Sequence, residues 1–462
     1  MNPVSAFAAT YPESGLKPSA FLLVTPTYAP FVGGAAAFAQ AMAQRLVTDG
    51  HRVTVLTTCA VRQTDFWQKP GPAQTRSSIP EVPDGIRVAR LKLAYPRPVP
   101  YAFGALRRAG YWLHRSRLPG AVQRPMLRCL ARQMPPLPGL RAALDQMVPE
   151  ADLVQVLESS WDGLFTEAVA AAGRSGKPCV VAPLMHLGNA DIRAAYQMGH
   201  QVIAYRGASA VLALSTSEAR AYAELGVSPE RVHVIAMGID PNAWTLSQRG
   251  AAEAFRRSHH LTRPTLAFLG ANTYDKGAFA LALAAAELAQ AGLDVDAIYA
   301  GPLSELLAAF VLRQSPAVRS ALEGKLYILG AVDEGTKHAL LETCDLLALP
   351  SQVDSFGIVI LEAWLHGKPV IGANAGGIPD VIRHEETGLL VPFGDVPALA
   401  AAIRRLITEP DLAARLGEAG RQMALEHYTW DHTYQALSRV YRGLLPAGKP
   451  TAGEGSPESS TG

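Results

Sequence analysis

The sequence predicts an α/β protein built from two successive doubly wound domains, and three observations carry that expectation. Apolar runs of four to six residues alternate with longer helical patterns, they do so in two series, and a polar stretch around Thr245–Pro264 separates the series. Short bare strands divided by helices imply parallel sheets covered on both faces, and two such series imply two Rossmann-like units. A length of 462 residues fits two or three domains, and a chain 49% hydrophobic and 18% charged is neither wholly disordered nor a coiled coil.

The first series opens with Phe21–Thr25, a Pro/Gly loop, and a helix from about Ala35 to Asp49. It continues through Val53–Thr57, Leu153–Val156, Val180–Ala182, Val211–Leu214 and Val232–Ile235. The second runs through Thr265–Leu269, Ile298–Ala300, Leu326–Leu329, Leu346–Leu349 and Pro369–Ile371, with helices between. Trp430–Leu444 reads as a closing helix, and the Gly/Ser/Pro-rich Gly448–Gly462 as a disordered tail. The expected organisation is therefore a loose start over 1–20, a first domain over 21–245, a second over 246–429, a crossover helix over 430–447 and the tail.

Composition excludes several function classes. A formal net charge of +2 gives no global reason to expect nucleic acid. Cys59, Cys129, Cys179 and Cys344 lie at least 50 residues apart, so neither a zinc site nor a disulfide framework is indicated, and scattered thiols fit a reducing compartment. The N-terminus lacks the pattern of a signal peptide, and no segment approaches 18 charge-free apolar residues, so a cytoplasmic protein is expected.

One region departs from the alternation. Residues 85–144 contain twelve Lys/Arg and no Asp or Glu, which leaves 30 basic and 40 acidic residues elsewhere. Tyr101, Phe103, Tyr111 and Trp112 are interleaved with the basic residues. As an insertion in the first domain, such a segment suits an anionic membrane surface, which would make the protein peripheral on the inner face of the membrane. The plainer reading is a solvated helical face whose arginines pair with the acidic second domain.

The strongest chemical signal is Leu346–Asp380, LLALPSQVDSFGIVILEAWLHGKPVIGANAGGIPD. A buried strand ends at Pro350 and a helix begins near Phe356–Gly357, so Asp354 stands just before a helix N-terminus. Free N–H groups and the helix dipole attract anions there. Glu362 follows eight residues later as the only charge between Phe356 and Leu365. A carboxylate on so apolar a helix needs hydroxyl or cationic partners. The plainer reading makes Asp354 a helix cap and pairs Glu362 with an internal arginine.

This block resembles the retaining nucleotide-sugar glycosyltransferases with the GT-B fold, glycosyltransferase family 4. Asp354 and Glu362 match the family's two acids with seven residues between them, and Gly367-Lys368-Pro369-Val370-Ile371, Gly376-Gly377-Ile378-Pro379-Asp380 and Thr387-Gly388-Leu389-Leu390-Val391 follow as that family has them. The resemblance extends to Thr25-Pro26 through Gly33-Gly34, to Ser215–Glu218 and Ile235–Asp240, to Phe268-Leu269-Gly270 with Lys276-Gly277, and to Leu329-Gly330-Ala331-Val332.

The resemblance implies a GT-B fold: two Rossmann-like domains facing a central cleft, with the C-terminal helix crossing back to the first. It implies that Lys276 faces the donor diphosphate, that Glu362 accepts hydrogen bonds from the ribose hydroxyls, and that Asp354 with the amides of Ser355, Phe356 and Gly357 holds the donor sugar and phosphate. Gly270 belongs to the phosphate loop, Gly330 and Val332 border the base, His186 lies near the transferred sugar, and Gly33 and Gly34 close the site from the first domain. A satisfied loop histidine is the plainer reading of His186. The family's usual arginine after the phosphate-loop glycine is here Ala271, which removes one of two cations, and Arg383 is a candidate replacement. The resemblance implies that a lysine and helix dipoles serve the diphosphate, so no cofactor or metal is expected beyond a nucleoside-diphosphate sugar as co-substrate.

The expected activity is transfer of a hexose-type sugar, with retention, to a lipid-linked or polysaccharide acceptor, in cell-envelope or exopolysaccharide synthesis. The competing readings are a nucleotide-sugar epimerase or a synthase on the same fold, and a non-catalytic scaffold. Partners expected are the donor, a glycan or lipid-linked acceptor and an anionic membrane surface, with no nucleic acid.

Overall fold

The computed structural model describes residues 16–68, 85–95, 101–243 and 250–445. The first 15 residues and the expected C-terminal tail lie outside the described residues.

The first half begins β1 (Ala20–Val24), α1 (Gly34–Thr48), β2 (Arg52–Thr58) and β3 (Ile86–Leu91). Three helices follow, α2 (Tyr101–His114), α3 (Gly120–Ala131) and α4 (Leu140–Glu150). Then come β4 (Leu153–Leu157), α5 (Asp162–Arg174), β5 (Cys179–Ala182), α6 (Ala190–Ala194) and α7 (Gly199–Gly207). The series ends with β6 (Ala210–Ala213), α8 (Thr216–Glu224) and β7 (Val232–Val234).

The second half runs α9 (Ala251–Ser258), β8 (Thr265–Leu269), α10 (Ala278–Gln290), β9 (Asp296–Ala300), α11 (Ser304–Leu312) and α12 (Pro316–Leu322). It continues with β10 (Leu326–Gly330), α13 (Glu334–Thr343), β11 (Leu346–Leu349), α14 (Ile358–Leu365), β12 (Val370–Ala373) and β13 (Leu389–Val391). Three helices close it, α15 (Val396–Thr408), α16 (Pro410–His427) and α17 (Trp430–Leu444).

All strand pairs are parallel. The first sheet has the order β3-β2-β1-β4-β5-β6-β7 and the second β10-β9-β8-β11-β12-β13. In each, the chain winds outward in one direction, then returns to the opposite side of the first strand. The reversal leaves a gap at the carboxyl ends of β1 and β4, and an equivalent gap at those of β8 and β11. Open α/β sheets bind ligands in such crevices.

Two strands depart from the expectation. Residues 85–144 are not wholly an insertion, because β3 within them forms the edge of the first sheet against β2. It reads as IRVARL, with arginines interrupting the apolar residues and only Leu91 fully buried. The second sheet gains β13 beside β12. The start is also tighter than expected: Ala20 already belongs to β1, and the Ser19 N–H reaches His51 Nδ1 at 3.2 Å.

Among the described residues, the ion pairs of the basic segment's arginines lie within the first half, not with the second. Arg128, Arg132 and Arg141 converge on the buried Glu167 at 2.8, 2.8 and 3.3 Å, and Arg115 pairs with Asp191 at 2.8 Å. Among the described residues no helix is long and apolar enough to cross a membrane.

Helix α14 is apolar but for Glu362, and Ile360, Leu361, Ala363, Trp364 and Leu365 are buried. Its Trp364 is fully buried, donates its indole N–H to the Thr387 carbonyl at 3.1 Å, and packs where Gly420 of α16 has no side chain. A Cβ at Gly420 would stand 2.3 Å from that indole.

The last helix crosses back onto the first sheet. Tyr434 donates to Asp49 Oδ2 at 2.6 Å, Arg45 pairs with Asp431 at 2.7 Å, and Tyr441 packs on Phe21 and donates to Gln155. Its buried Trp430, Tyr434, Leu437 and Tyr441 each contribute on the order of 1.5–3 kcal/mol of burial. At its start the Ile239 N–H donates to the Tyr428 carbonyl at 2.8 Å, and the Trp430 N–H to the Ile239 carbonyl at 3.1 Å.

Candidate functional site

The second sheet's gap is lined by the loops after β8 and β11, and these loops are stitched together. The Gln352 N–H donates to the Asp275 carbonyl at 3.0 Å. Gly277, with φ +81°, lies so near the Pro350 carbonyl that a Cβ would be 2.1 Å from its oxygen. Only glycine tolerates both that conformation and that approach. Lys276 and Asp354 thereby meet, with Nζ 2.7 Å from Oδ1.

Asp354 does not cap the helix that follows. Gly357 occupies the N-cap of α14, and no side chain caps it; α10, which starts just after Lys276, is likewise uncapped behind Gly277. Two helix N-termini thus flank the Lys276–Asp354 pair, an arrangement suited to an anionic group. Burial pushes the Asp354 carboxyl up, but the charge and hydrogen bond of Lys276, with Ser351 and His186 adding to them, together hold it below the usual range. Its Oδ2 is buried with no hydrogen-bond partner among the described residues.

Glu362 lies on the same helix and has a cation partner, though a lysine from another helix instead of the arginine of the plainer reading. Lys337 of α13 stands 2.7 Å from Glu362 Oε1 and 2.7 Å from Glu334 Oε2. Burial pushes the Glu362 carboxyl up and Lys337 only partly reverses it, whereas the two carboxylates raise Lys337 in spite of its own burial. Glu362 Oε2, like Asp354 Oδ2, is buried and unpaired.

The first sheet contributes His186, in the loop after β5. Burial, with Lys276 adding to it, pushes its imidazole down to about 4, so it is neutral at neutral pH; Asp354 and Asp275 act in the opposite sense. Its electrostatic partners are thus the donor-side residues that the sequence placed with it. That loop is fixed from both sheets. Glu218 accepts the Met185 N–H at 2.8 Å, and the Ser355 hydroxyl donates to the Met185 carbonyl at 2.9 Å.

The remaining expected residues divide by what their side chains already do. Ser355 spends its hydroxyl on Met185, and Phe356 is buried against Tyr428 with ring centroids 5.6 Å apart, so both offer only backbone to a ligand. Gly270 ends β8 by donating its N–H to the Ala300 carbonyl at 3.0 Å, and the Gly330 carbonyl accepts the Gly301 N–H at 2.7 Å. Val332 is half-buried beyond β10. Gly33 is the N-cap of α1, and a Cβ on Gly34 would be 4.0 Å from Cγ2 of Ile358, in the first turn of α14. Arg383 is exposed and acts on Tyr428. Among the described residues no three or more His, Cys, Asp or Glu come together as a metal site would require.

Lys337, Glu218, Glu158 and Thr27 were not picked out as site residues. Lys337 had one available signal, as the sole lysine on a helix that follows the segment bordering the base.

The profile for glycosyl transferases group 1 matches residues 251–423, and that for the glycosyl transferase 4-like domain matches residues 33–238. The chain is similar to alpha-maltose-1-phosphate synthase of Mycolicibacterium smegmatis, 31% identical over 253 residues, covering 52% of this chain and 64% of that protein. It is also similar to D-inositol 3-phosphate glycosyltransferase of Rhodococcus jostii, 30% identical over 253 residues, covering 54% and 55% of the two chains. The matches thus span less than two thirds of these relatives' own length. Among solved structures, Anabaena HepE in complex with UDP-glucose superposes with a TM-score of 0.65 at 21% identity, covering 92% of this chain and 100% of that one. Sucrose-phosphate synthase of Thermosynechococcus elongatus superposes with a TM-score of 0.64 at 20% identity, covering 92% and 99%. One profile covers the first sheet from β2 onward and the other the second sheet, the whole chain superposes on these folds, and the chain belongs to the GT-B-fold glycosyltransferases of the group 1 and 4-like family.

Proposed function

We propose that this chain is a retaining glycosyltransferase that moves a hexose-type sugar from a nucleoside-diphosphate donor to an acceptor hydroxyl. One observation carries the reading. Asp354 and Glu362 each spend one carboxylate oxygen on a lysine and keep the other buried and unpaired. Such an oxygen is costly in a core, and a hydroxyl donor satisfies it. On this reading the hydroxyls are those of the donor sugar for Asp354 and of the ribose for Glu362.

In the transfer, the bond from the anomeric carbon to the diphosphate oxygen breaks, and a bond to the acceptor oxygen forms on the same face. The acceptor proton passes to the departing diphosphate. Lys276 and the two helix N-termini stabilise the charge that develops on that group. Neutral His186 offers a hydrogen bond from the first-sheet side, and the two halves hold the reactants in register.

The acceptor reading is a lipid-linked or polysaccharide glycan at an anionic membrane surface, as in cell-envelope or exopolysaccharide synthesis. Support comes from α2, α3 and the turn between them, where Trp112 is 76% exposed and Leu118, Val122 and Met126 are exposed beside it. Arg107, Arg108, Arg117 and Arg124, also exposed, lie among them. Apolar side chains set among arginines match the headgroup boundary of such a surface.

The test is thermal stability with saturating UDP, GDP, ADP or TDP, in the intact protein and in Glu362→Ala. A ligand bound only by the folded state raises the melting temperature. A rise with one nucleotide, lost in the variant, is expected; no rise with any of the four overturns the donor reading.

A further inference from the structure

The first sheet carries at its own strand-order reversal a polar pair corresponding to Lys276 and Asp354 in the second. Thr27 follows β1 and Glu158 follows β4, and they meet across the gap with Thr27 Oγ1 3.1 Å from Glu158 Oε2. Ser160 donates to the other oxygen at 2.9 Å. Glu158 has φ +62°, a conformation that costs a non-glycine residue free energy. The loop is held in it by its neighbours: the Glu158 N–H donates to the Ala182 carbonyl at 2.9 Å, the Ser159 N–H to the Pro183 carbonyl at 2.9 Å, and Tyr205 to Ser159 Oγ at 3.1 Å.

The carboxylate belongs to the cleft. It acts electrostatically on Tyr196, whose ring centroid is 5.1 Å from that of His186, and His186 in turn acts with Lys276 and Asp354. Glu158 is only half-buried; burial pushes its carboxyl up, and the hydrogen bonds from Ser160 and Thr27 act in the opposite sense by favouring the ionised form. Arg90 donates to the Ala29 carbonyl, and Arg107 acts on Tyr196 from α2.

We infer that Glu158, oriented by Thr27 and Ser160, receives the acceptor, and that the acceptor group it meets is an unphosphorylated, uncharged polyol or sugar. This rests on the transferase reading and names the acceptor class for it. An ionised carboxylate accepts hydrogen bonds from vicinal hydroxyls, and it repels a phosphate or carboxylate brought to the same crevice. A fixed negative charge at the acceptor-side gap therefore selects by charge, as the fixed positive charge of Lys276 does at the donor-side gap.

The experiment uses the full chain, the sugar nucleotide whose diphosphate raises the melting temperature, and acceptors in matched pairs: glucose with glucose 6-phosphate, and myo-inositol with its phosphate. Product is read by mass spectrometry. The intact protein is expected to favour the unphosphorylated member on the order of tenfold or more. Glu158→Gln is expected to raise the acceptor KM on the order of tenfold and to narrow that preference, with the nucleotide-induced rise in melting temperature unchanged. A phosphorylated member used as well as its parent by the intact protein, as would follow if Arg107 bound the phosphate, overturns the inference without need of a variant. So does a Glu158→Gln protein with unchanged acceptor KM and unchanged preference. Either result leaves the nucleotide response standing, whereas absence of that response counts against the transferase reading itself.

Discussion

The Ser355 hydroxyl donates to the Met185 carbonyl at 2.9 Å, joining residues 170 positions apart on opposite sides of the cleft. The N–H of the same Met185 goes to Glu218 at 2.8 Å. Residue 186 is the histidine, so its loop is clamped from both halves immediately before the side chain that faces the donor pair.

Glu218 is the inner half of that clamp. It accepts N–H groups from Met185 and Leu214 and the hydroxyl of Tyr222 at 2.6 Å. A glutamine presents an NH₂ where one oxygen accepted, leaving a buried N–H unpaired. Glu218→Gln is expected to lower unfolding stability by about 2–4 kcal/mol and to reduce kcat more than nucleotide affinity. Denaturant unfolding checks the first part; a midpoint within error of the intact protein removes the assigned role.

Lys276 and Asp354 give opposite predictions for binding and turnover. Lys276→Ala removes the diphosphate's cation and leaves Asp354 buried without one, so nucleotide affinity and transfer both fall, transfer by on the order of 10²-fold. Asp354→Asn releases Lys276 from its 2.7 Å partner. Nucleotide affinity is then expected to hold or rise while transfer falls. Calorimetric titration with the diphosphate separates the two, and equal losses of affinity in both variants contradict the assignment.

His366 on the α14 side meets His338 of α13 at 3.0 Å between ring nitrogens, and burial, then His338, then Lys368 push it down to about 4. The folded state keeps it neutral while the unfolded chain protonates near 6.5, so stability is lost as pH falls from about 6.5 to about 4. His186, also pushed down to about 4, acts in the same sense, whereas Glu218, pushed up by burial to about 7, acts in the opposite one. The informative quantity is consequently the difference between proteins. His366→Gln is expected to flatten the acid limb of stability against pH by at most about 3 kcal/mol. An unchanged limb rejects a neutral His366 in the folded state.

The exposed arginines and apolar side chains of α2 and α3 predict co-sedimentation with vesicles containing anionic lipid, weakening as salt is raised. Trp112→Ala combined with Met126→Ala is expected to reduce the bound fraction several-fold without changing the melting temperature. Equal binding to neutral vesicles, or no binding to either at low salt, eliminates the membrane reading.

Much of the architecture was legible because strands buried on both faces are written as bare apolar runs. Phe21–Thr25 announced β1 almost residue for residue, since all five of its residues are buried. The edge strand β3 has its apolar run interrupted by Arg87 and Arg90 and carries no such mark. In the site, the spacing of Asp354 and Glu362 and the position of Lys276 were visible, because short stretches of loop and helix fix them. Their partners were not. Lys337 reaches Glu362 across 25 residues, Glu218 reaches Met185 across 33, and Ser355 reaches Met185 across 170. Which side chain arrives opposite another at those separations depends on how two sheets stack, which no local pattern encodes.

The chain passes between the two halves twice, and the passages lie side by side where Ile239 exchanges hydrogen bonds with Tyr428 and Trp430. Two adjoining crossings define a line, the pivot along which the halves are joined as covers are along a book's spine. A Cβ on Gly238 would come within 2.5 Å of the Trp430 nitrogen, which places the pivot at van der Waals contact. Because the 15 residues of α17 complete the first half's packing, a gene cut between the two sheets would give one fragment missing a wall and another carrying it uncovered.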